Sequence, residues 1–165
     1  MPGPIGSFLA GDHQRLADLL QRAGSRPGEI DAREYAAFRA GLLKHIAVEE
    51  KDLLPFAQER RGGKPLPMAA KLRIDHSALA GLLVPMPTPA ILKTMKRILD
   101  GHNVLEEGAE GLYDICDRLA VDKAEEIVSR LRGAREVRTA PHVDGPHVME
   151  AAKRAVERAG YELEP

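Results

Sequence analysis

The chain contains 165 residues, of which 44% are hydrophobic and 30% charged, and its formal net charge is −1. This composition is typical of a globular domain with a substantial core, and the balanced charge argues against nucleic acid or acidic lipid as a partner. The single cysteine, Cys116, excludes an intramolecular disulfide and any cysteine-rich zinc or iron–sulfur site.

The sequence also lacks the usual signals for export or membrane insertion. Its first residues, MPGPIGSFLAGD, contain neither the basic nor the long apolar region of a signal peptide. No apolar run approaches the roughly 18 residues that a membrane-spanning helix needs. We therefore expect a cytoplasmic protein that does not associate with a membrane.

Residue preferences and turn signals predict an all-α fold. Ala, Leu, Glu, Arg and Lys dominate, and β-branched residues never gather in alternating runs. Three segments rich in glycine and proline separate the helices, at residues 24–28, 62–67 and 85–89. The helices predicted around them are 7–23, 31–60, 68–84 and 90–119. Because short connections favour antiparallel neighbours, we predict an up-down-up-down four-helix bundle over residues 1–120.

Residues 121–165 are predicted to be a C-terminal helical extension that packs on the bundle. Helices are expected at 122–132 and 146–159, since Pro146 can begin a helix and Gly160 can end one. The segment between them, 139–146, is expected to be irregular. The two histidines of this extension lie outside the bundle pattern and are interpreted as surface residues: His142 and His147.

The candidate functional residues lie in an internal repeat. Each copy has an Asp-His pair on one helix and a His-x-x-x-Glu-Glu run on the next. The first copy consists of Asp12-His13 and His45-x-x-x-Glu49-Glu50. The second consists of Asp75-His76 and His102-x-x-x-Glu106-Glu107. Two such helical hairpins would form a bundle with approximate twofold symmetry.

Helical periodicity places one histidine of each bundle helix, and one glutamate of each His/Glu pair, on the buried face. In the second helix the positions on the predicted buried face are Tyr35, Phe38, Leu42, His45, Glu49, Leu53 and Phe56. In the fourth they are Ile91, Met95, Ile98, His102, Glu106, Ala109, Tyr113 and Cys116. His13 and His76 occupy the same face of the first and third helices. Glu50 and Glu107 are expected to face solvent, and Tyr113 to lie in the core about 10 Å beyond Glu106.

Four inward histidines with two inward carboxylates predict a metal site. Burying two unpaired carboxylates costs several kcal/mol each, and no Lys or Arg lies on these helix faces to offset that cost. The six predicted ligands are His13, His45, Glu49, His76, His102 and Glu106. They divide into two histidines per ion with both carboxylates bridging. Such a nitrogen and oxygen ligand set suits iron or manganese, and zinc remains an alternative.

These residues resemble the hemerythrin-like family, the cation-binding four-helix bundles named for their His/His/Glu pattern. The resemblance covers about residues 7–119. It implies two non-haem iron ions with an oxo or hydroxo bridge, also bridged by Glu49 and Glu106. It further implies that the four histidines are terminal ligands. Ferritin-like bundles use Glu-x-x-His instead, and this chain has no such pair on its buried faces.

One departure from the oxygen-carrying members of that family concerns a fifth histidine. The carriers have it one turn after the histidine of the third helix, where this chain has Ala80. The equivalent position in the first helix is Ala17. The carriers' fourth-helix carboxylate is an aspartate at the position of Glu107. The site therefore resembles the four-histidine branch, which includes iron-centre repair proteins, nitric-oxide-responsive proteins, peroxide-decomposing actinobacterial members and an iron-sensing F-box domain.

The leading functional hypothesis is a di-iron protein that binds or reduces dioxygen, nitric oxide or peroxide. Its partners would be that small ligand and an electron-donor or signalling protein. A second hypothesis is an iron, redox or oxygen sensor without turnover, in which metal occupancy changes the stability of the bundle. A third is a structural metal bundle that holds zinc or manganese with the same ligands.

Overall fold

Helices account for the regular structure of the chain in this computed structural model, which describes residues 2–165 and has no strand in that range. The α-helices are α1 (Pro4–Ala23), α2 (Ala32–Val48), α3 (Leu54–Arg60), α4 (Ala69–Leu82), α5 (Pro89–Glu107), α6 (Leu112–Ala120), α7 (Ala124–Arg132) and α8 (Pro146–Arg158). The all-α prediction is confirmed. None of the helices in the described part of the chain is both long and apolar enough to cross a membrane.

Local side-chain chemistry accounts for where two of the central helices begin. The Asp31 side chain accepts hydrogen bonds from the backbone N–H groups of Arg33 and Glu34, both at 3.0 Å, ahead of α2. Thr88 accepts one from the N–H of Ile91 at 3.2 Å, ahead of α5. These oxygens satisfy N–H groups that have no partner within the first turn of a helix.

A π-helical segment, Glu49–Leu53, joins α2 to α3 without a break in the helix. Pro55 follows this segment, and proline has no N–H and collides with the carbonyl four residues before it in an α-helix. The wider π turn accommodates the proline. The π turn also shifts by one residue which side of the helix faces the core. Ala57 is therefore buried, while Phe56, predicted to be in the core, is half-buried.

The predicted helix 90–119 is wrong in its middle, because α5 ends at Glu107 and α6 begins at Leu112. Gly108 has an extended conformation, and Gly111 packs against backbone carbonyls of the last turn of α5. Ala109, predicted to be buried, is exposed in this loop. The chain changes direction here, so that residues of α6 do not continue the face of α5.

The last three helices pack against those that carry the repeat. Asp117 on α6 accepts hydrogen bonds from the N–H groups of Ile5 and Gly6, each at 2.9 Å, at the start of α1. The helix α7 also contacts α1, and α8 contacts α4. Helices are found where the sequence predicted them in 121–165, and the division into two units at residue 120 stays a prediction.

Two apolar clusters lie on either side of the histidine and glutamate layer. One combines the C-terminal half of α1, the N-terminal half of α2, the ends of α4 and α5 that face them, and α8. The other combines the start of α1, the π-helical segment, α3, α6 and α7. The polar residues of the repeat therefore lie in the middle of the core, shielded from solvent at both ends.

Candidate metal centre

The structure brings all six predicted ligands together in the interior. The four histidines are 3–6% exposed, and both glutamates are fully buried. Four separate helical segments supply them, since α1, α2, α4 and α5 each carry one histidine. Glu106 follows His102 by one turn of α5, whereas Glu49 follows His45 at the first residue of the π-helical segment.

The six residues form two groups of four that share both glutamates. We call them the first quartet (His13, His45, Glu49, Glu106) and the second quartet (Glu49, His76, His102, Glu106). Within each quartet the donor atoms lie within 4.8 Å of one another. Buried imidazoles and carboxylates at this spacing can hold a metal ion.

Each glutamate turns a different oxygen towards each quartet. Glu49 Oε1 is 3.0 Å from His45 Nε2, while its Oε2 is 3.1 Å from His76 Nε2. Glu106 Oε2 is 3.0 Å from His13 Nε2, while its Oε1 is 2.7 Å from His102 Nε2. This arrangement is the one required of two carboxylates that bridge a pair of ions.

A second set of carboxylates lies behind the histidines. The Nδ1 atom of His45 donates to Asp12 at 2.8 Å, and that of His102 donates to Asp75 at 3.1 Å. Two further bonds of the same kind join His76 to Glu50, at 2.8 Å, and His13 to Glu107. Each bond directs the Nε2 lone pair of a neutral imidazole inward, which is the usual arrangement of a metal-binding histidine.

These carboxylates correct the prediction that Glu50 and Glu107 only face solvent. Both are partly exposed, but each also holds a histidine on another helix. The residues were visible in the repeat, as Asp-His and Glu-Glu pairs. The signal that would have identified their role is the need of every inward histidine for a partner at its second ring nitrogen.

Glu106 provides an independent test of whether a cation fits the site. Its Oε1 atom is buried and makes no hydrogen bond, although His102 Nε2 is close by. Since His102 Nδ1 already donates to Asp75, a neutral His102 would turn a lone pair towards that oxygen, so that either a proton on Nε2 or a metal ion must lie between the two atoms. Two lone pairs that face each other in a dry interior are stabilised by a positive ion between them.

Tyr113 lies in the core as predicted, but the distance predicted between it and Glu106 is wrong. It is not remote from Glu106: its hydroxyl donates to Glu49 Oε1 at 2.5 Å and lies 3.0 Å from Glu106 Oε2. The prediction of about 10 Å assumed a continuous helix, whereas the break after Glu107 turns α6 back towards the two quartets. Burial and the two neighbouring carboxylates raise the pKa of Tyr113 well above its usual value, so the phenol keeps its proton when no cation is bound.

The histidines and glutamates perturb one another strongly. Burial lowers the pKa of His76, but the nearby Glu106 carboxylate and a hydrogen bond with Glu49 outweigh it and raise this pKa to about 10. For His102, burial is outweighed by Asp75 and Glu106, and the pKa rises to about 9. Burial opposes ionisation of Glu106, yet its histidine partners hold its pKa well below the usual value. Without a metal, protonated imidazoles therefore balance the buried carboxylates.

The metal-free protein is expected to lose stability as the pH rises from about 6.5 to 10. The folded-state pKa values of His76 and His102 lie above the ordinary value of 6.5, so their stabilising effect is complete below pH 6.5 and is lost as the pH rises through about 9 and 10. The loss should be on the order of a few kcal/mol. Urea unfolding in the presence of a chelator would measure it.

The metal-loaded protein should not show this alkaline loss, because its imidazoles are already neutral ligands. A free energy of unfolding that stays constant from pH 6.5 to 10 in the metal-free protein would contradict the prediction.

Asp75→Asn is expected to weaken binding of an ion to the second quartet by about 10- to 100-fold, since it removes the carboxylate that orients His102. Asp75 is fully buried and also pairs with Lys71. Competition with a chromogenic chelator would measure the affinity of each ion. The matched control is Asp100→Asn on α5, because Asp100 is exposed and pairs with Lys96 on the same helix rather than with a histidine. Equal losses in the two variants would rule out a role specific to His102.

An apolar cavity of about 550 Å³ reaches the site from the surface between α1 and α5. All four histidines line it, together with a largely aliphatic wall that includes Leu16, Leu20, Leu42, Leu79 and Leu92. Ala17, one turn after His13, also lines the cavity. The small side chain at this position therefore leaves room beside the histidines.

The remaining residues singled out in the sequence lie away from the centre. His142 belongs to neither quartet. Its ring stacks on that of Tyr35, with the two ring centroids 6.2 Å apart. His147 is exposed. Cys116 is fully buried on α6, and burial raises the pKa of its thiol to about 12. These positions agree with the interpretation of the two histidines as residues outside the metal site.

Comparison with protein families gives a partial match. Residues 5–76 match a family described as a protein of unknown function (DUF3572). The matched region is less than half of the chain; it includes the first copy of the repeat and His76 but ends before the second His/Glu pair. No curated protein and no solved structure matches the chain.

Proposed function

We propose that the chain is a non-haem di-iron protein of the hemerythrin-like type, which binds or reduces a small oxidant such as dioxygen, nitric oxide or peroxide. In this proposal each quartet holds one iron, and Glu49 and Glu106 are shared. The helices α1, α2 with α3, α4 and α5 form an up-down-up-down four-helix bundle, and residues 121–165 pack on it.

The observation that carries the proposal is the sharing of the two glutamates between quartets. Two histidines and two carboxylate oxygens surround each position. A tetrahedral zinc ion would be saturated by one such quartet. Iron and manganese accept more ligands, so that either would keep coordination positions for a small molecule. Bound iron would supply those positions and the electrons that an oxidant takes up.

The surrounding residues determine what reaches the site. The aliphatic wall formed by Leu16, Leu42 and Leu79 favours small uncharged molecules and limits water, because an apolar surface offers no hydrogen bonds. The carboxylates behind the histidines hold each imidazole with Nε2 facing inward. Together these features favour an uncharged molecule that binds beside the inward-facing nitrogens.

The test is an optical titration of the iron-loaded chain. After anaerobic reduction, we expect dioxygen, nitric oxide or peroxide to change the near-ultraviolet and visible spectrum with one equivalent per two irons. Catalytic loss of peroxide would identify an enzyme, whereas binding without turnover would favour a sensor. A chain that holds two irons but responds to none of the three would contradict the proposal.

A matched pair of variants tests access through the cavity. Ala17→Phe should slow the reaction without lowering the iron content, since the larger side chain enters the cavity wall. Ala36→Phe places the same ring on an exposed part of α2 that does not line the cavity, and should react at the native rate. Equal rates in both variants would show that the small molecule enters elsewhere.

A further inference from the structure

We propose that the Tyr113 phenolate is a fifth protein ligand, binding an iron ion in the first quartet and leaving the second without an equivalent. This inference rests on the proposed di-iron function. The Tyr113 oxygen contacts all four donor atoms of the first quartet: His13 Nε2 at 2.9 Å, His45 Nε2 at 3.2 Å, Glu49 Oε1 at 2.5 Å and Glu106 Oε2 at 3.0 Å.

The spacing of these five atoms matches the edges of a coordination polyhedron. Adjacent ligands of an octahedral ion with bonds of about 2.1 Å lie about 3.0 Å apart. His13 Nε2 is 3.0 Å from both His45 Nε2 and Glu106 Oε2, and His45 Nε2 is 3.0 Å from Glu49 Oε1. The Tyr113 oxygen lies 2.5–3.2 Å from all four, which is the spacing expected of a fifth ligand to the same ion.

When the imidazoles are neutral, which is the form that binds a metal ion, hydrogen bonding does not satisfy this group of atoms. The Nδ1 atoms of His13 and His45 donate to carboxylates, so in the neutral imidazoles both Nε2 atoms carry lone pairs. The hydroxyl has one proton, which it donates to Glu49. Two imidazole nitrogens and an oxygen of Glu106 then face the phenol oxygen without a proton between them. A cation among the five atoms removes this repulsion.

The second quartet has no such neighbour in the described part of the chain. Besides their carboxylate partners at Nδ1, His76 and His102 have only Glu49 and Glu106 near their Nε2 atoms. The residue related to Tyr113 by the repeat is Phe56, which also follows its glutamate by seven positions but has no hydroxyl. The two ions would therefore be inequivalent, with the position for a small molecule on the ion held by His76 and His102.

Binding of the phenol oxygen to iron exchanges a proton for the metal ion. When the phenol oxygen binds a ferric ion, its O–H bond breaks, an oxygen–iron bond forms and the proton passes to the buffer. No oxidant or reductant is consumed in that step. A nearby positive ion favours the anionic form of a ligand strongly enough to reverse the effect of burial.

The test is the colour of the ferric protein. The full chain is loaded with iron, oxidised, and examined by visible absorption and by resonance Raman excited in any visible band. We expect phenolate-to-iron charge transfer, with tyrosine ring vibrations that shift when the chain contains ring-deuterated tyrosine. The band should disappear in Tyr113→Phe, which should keep its iron, and persist in the matched variants Tyr35→Phe and Tyr161→Phe.

The outcomes separate this inference from the proposed function. Two irons per native chain without tyrosine vibrations would overturn the ligation by Tyr113 and leave the di-iron function standing. A band that persists in Tyr113→Phe would also overturn it. A native chain that binds no iron would overturn both. The isotope measurement uses the native chain, so the inference stays testable even if Tyr113→Phe does not fold.

Discussion

Glu49→Gln is expected to abolish binding of both ions, whereas His102→Ala should abolish binding of only one. The carboxylate of Glu49 turns Oε1 to the first quartet and Oε2 to the second, so one substitution removes an anionic ligand from each. Loss of a carboxylate behind a ligand costs about 10- to 100-fold in affinity. Loss of a bridging ligand should cost more than about 100-fold for each ion.

The measurement is iron per chain after loading and gel filtration, with far-ultraviolet circular dichroism to establish that each variant is folded. Glu49→Gln should hold close to none, and His102→Ala about half of the native amount. The control is Glu59→Gln on α3, where the glutamate is exposed and belongs to neither quartet. A half-loaded Glu49→Gln variant would mean that Glu49 serves a single ion.

The clustering of the six histidines and glutamates could be predicted because each helix is regular up to the glutamate of its His/Glu pair. The step of four from His45 to Glu49, and from His102 to Glu106, keeps both side chains on one helical face. Apolar residues on either side then fix that face as the buried one. The π turn begins only at Glu49 and so did not disturb the prediction.

The carboxylates behind the histidines were harder to predict because each one binds a histidine on a different helix. Asp12 is adjacent to His13 in the chain but holds His45, and Glu50 is adjacent to Glu49 but holds His76. Periodicity within one helix contains no information about such pairs. They depend on how far neighbouring helices are shifted along their axes, and that is a property of packing.

The position of Tyr113 could not be predicted because it depends on contacts between backbone atoms. Helical periodicity continued through 108–111, and glycine at two of these positions is a weak signal by itself. What ends the helix is the approach of Gly111 to the carbonyls of α5. Glu110, with a φ of 61°, adds a left-handed residue that the sequence does not indicate.

Gly111→Ala is expected to destabilise the protein by about 3 kcal/mol, at the upper end of the range for overpacking a core. A Cβ atom at this position would lie 2.7 Å from the carbonyl oxygens of Glu106 and Gly108 and 2.8 Å from that of Leu105. All three are backbone atoms of the helix end and cannot rotate away as a side chain could. The loop must therefore move, and α6 must move with it.

Urea unfolding of Gly111→Ala should be compared with that of Gly133→Ala at the end of α7. There a Cβ atom would meet carbonyl oxygens at 3.5 and 3.7 Å, which is ordinary contact, and the φ of −83° suits alanine. Gly133→Ala should change the stability by less than about 1 kcal/mol. If Gly111→Ala were equally mild, the close approach at the α5–α6 break would not determine the position of Tyr113. A large loss at Gly111 alone would mean that the turn back to the two quartets depends on the absence of one side chain.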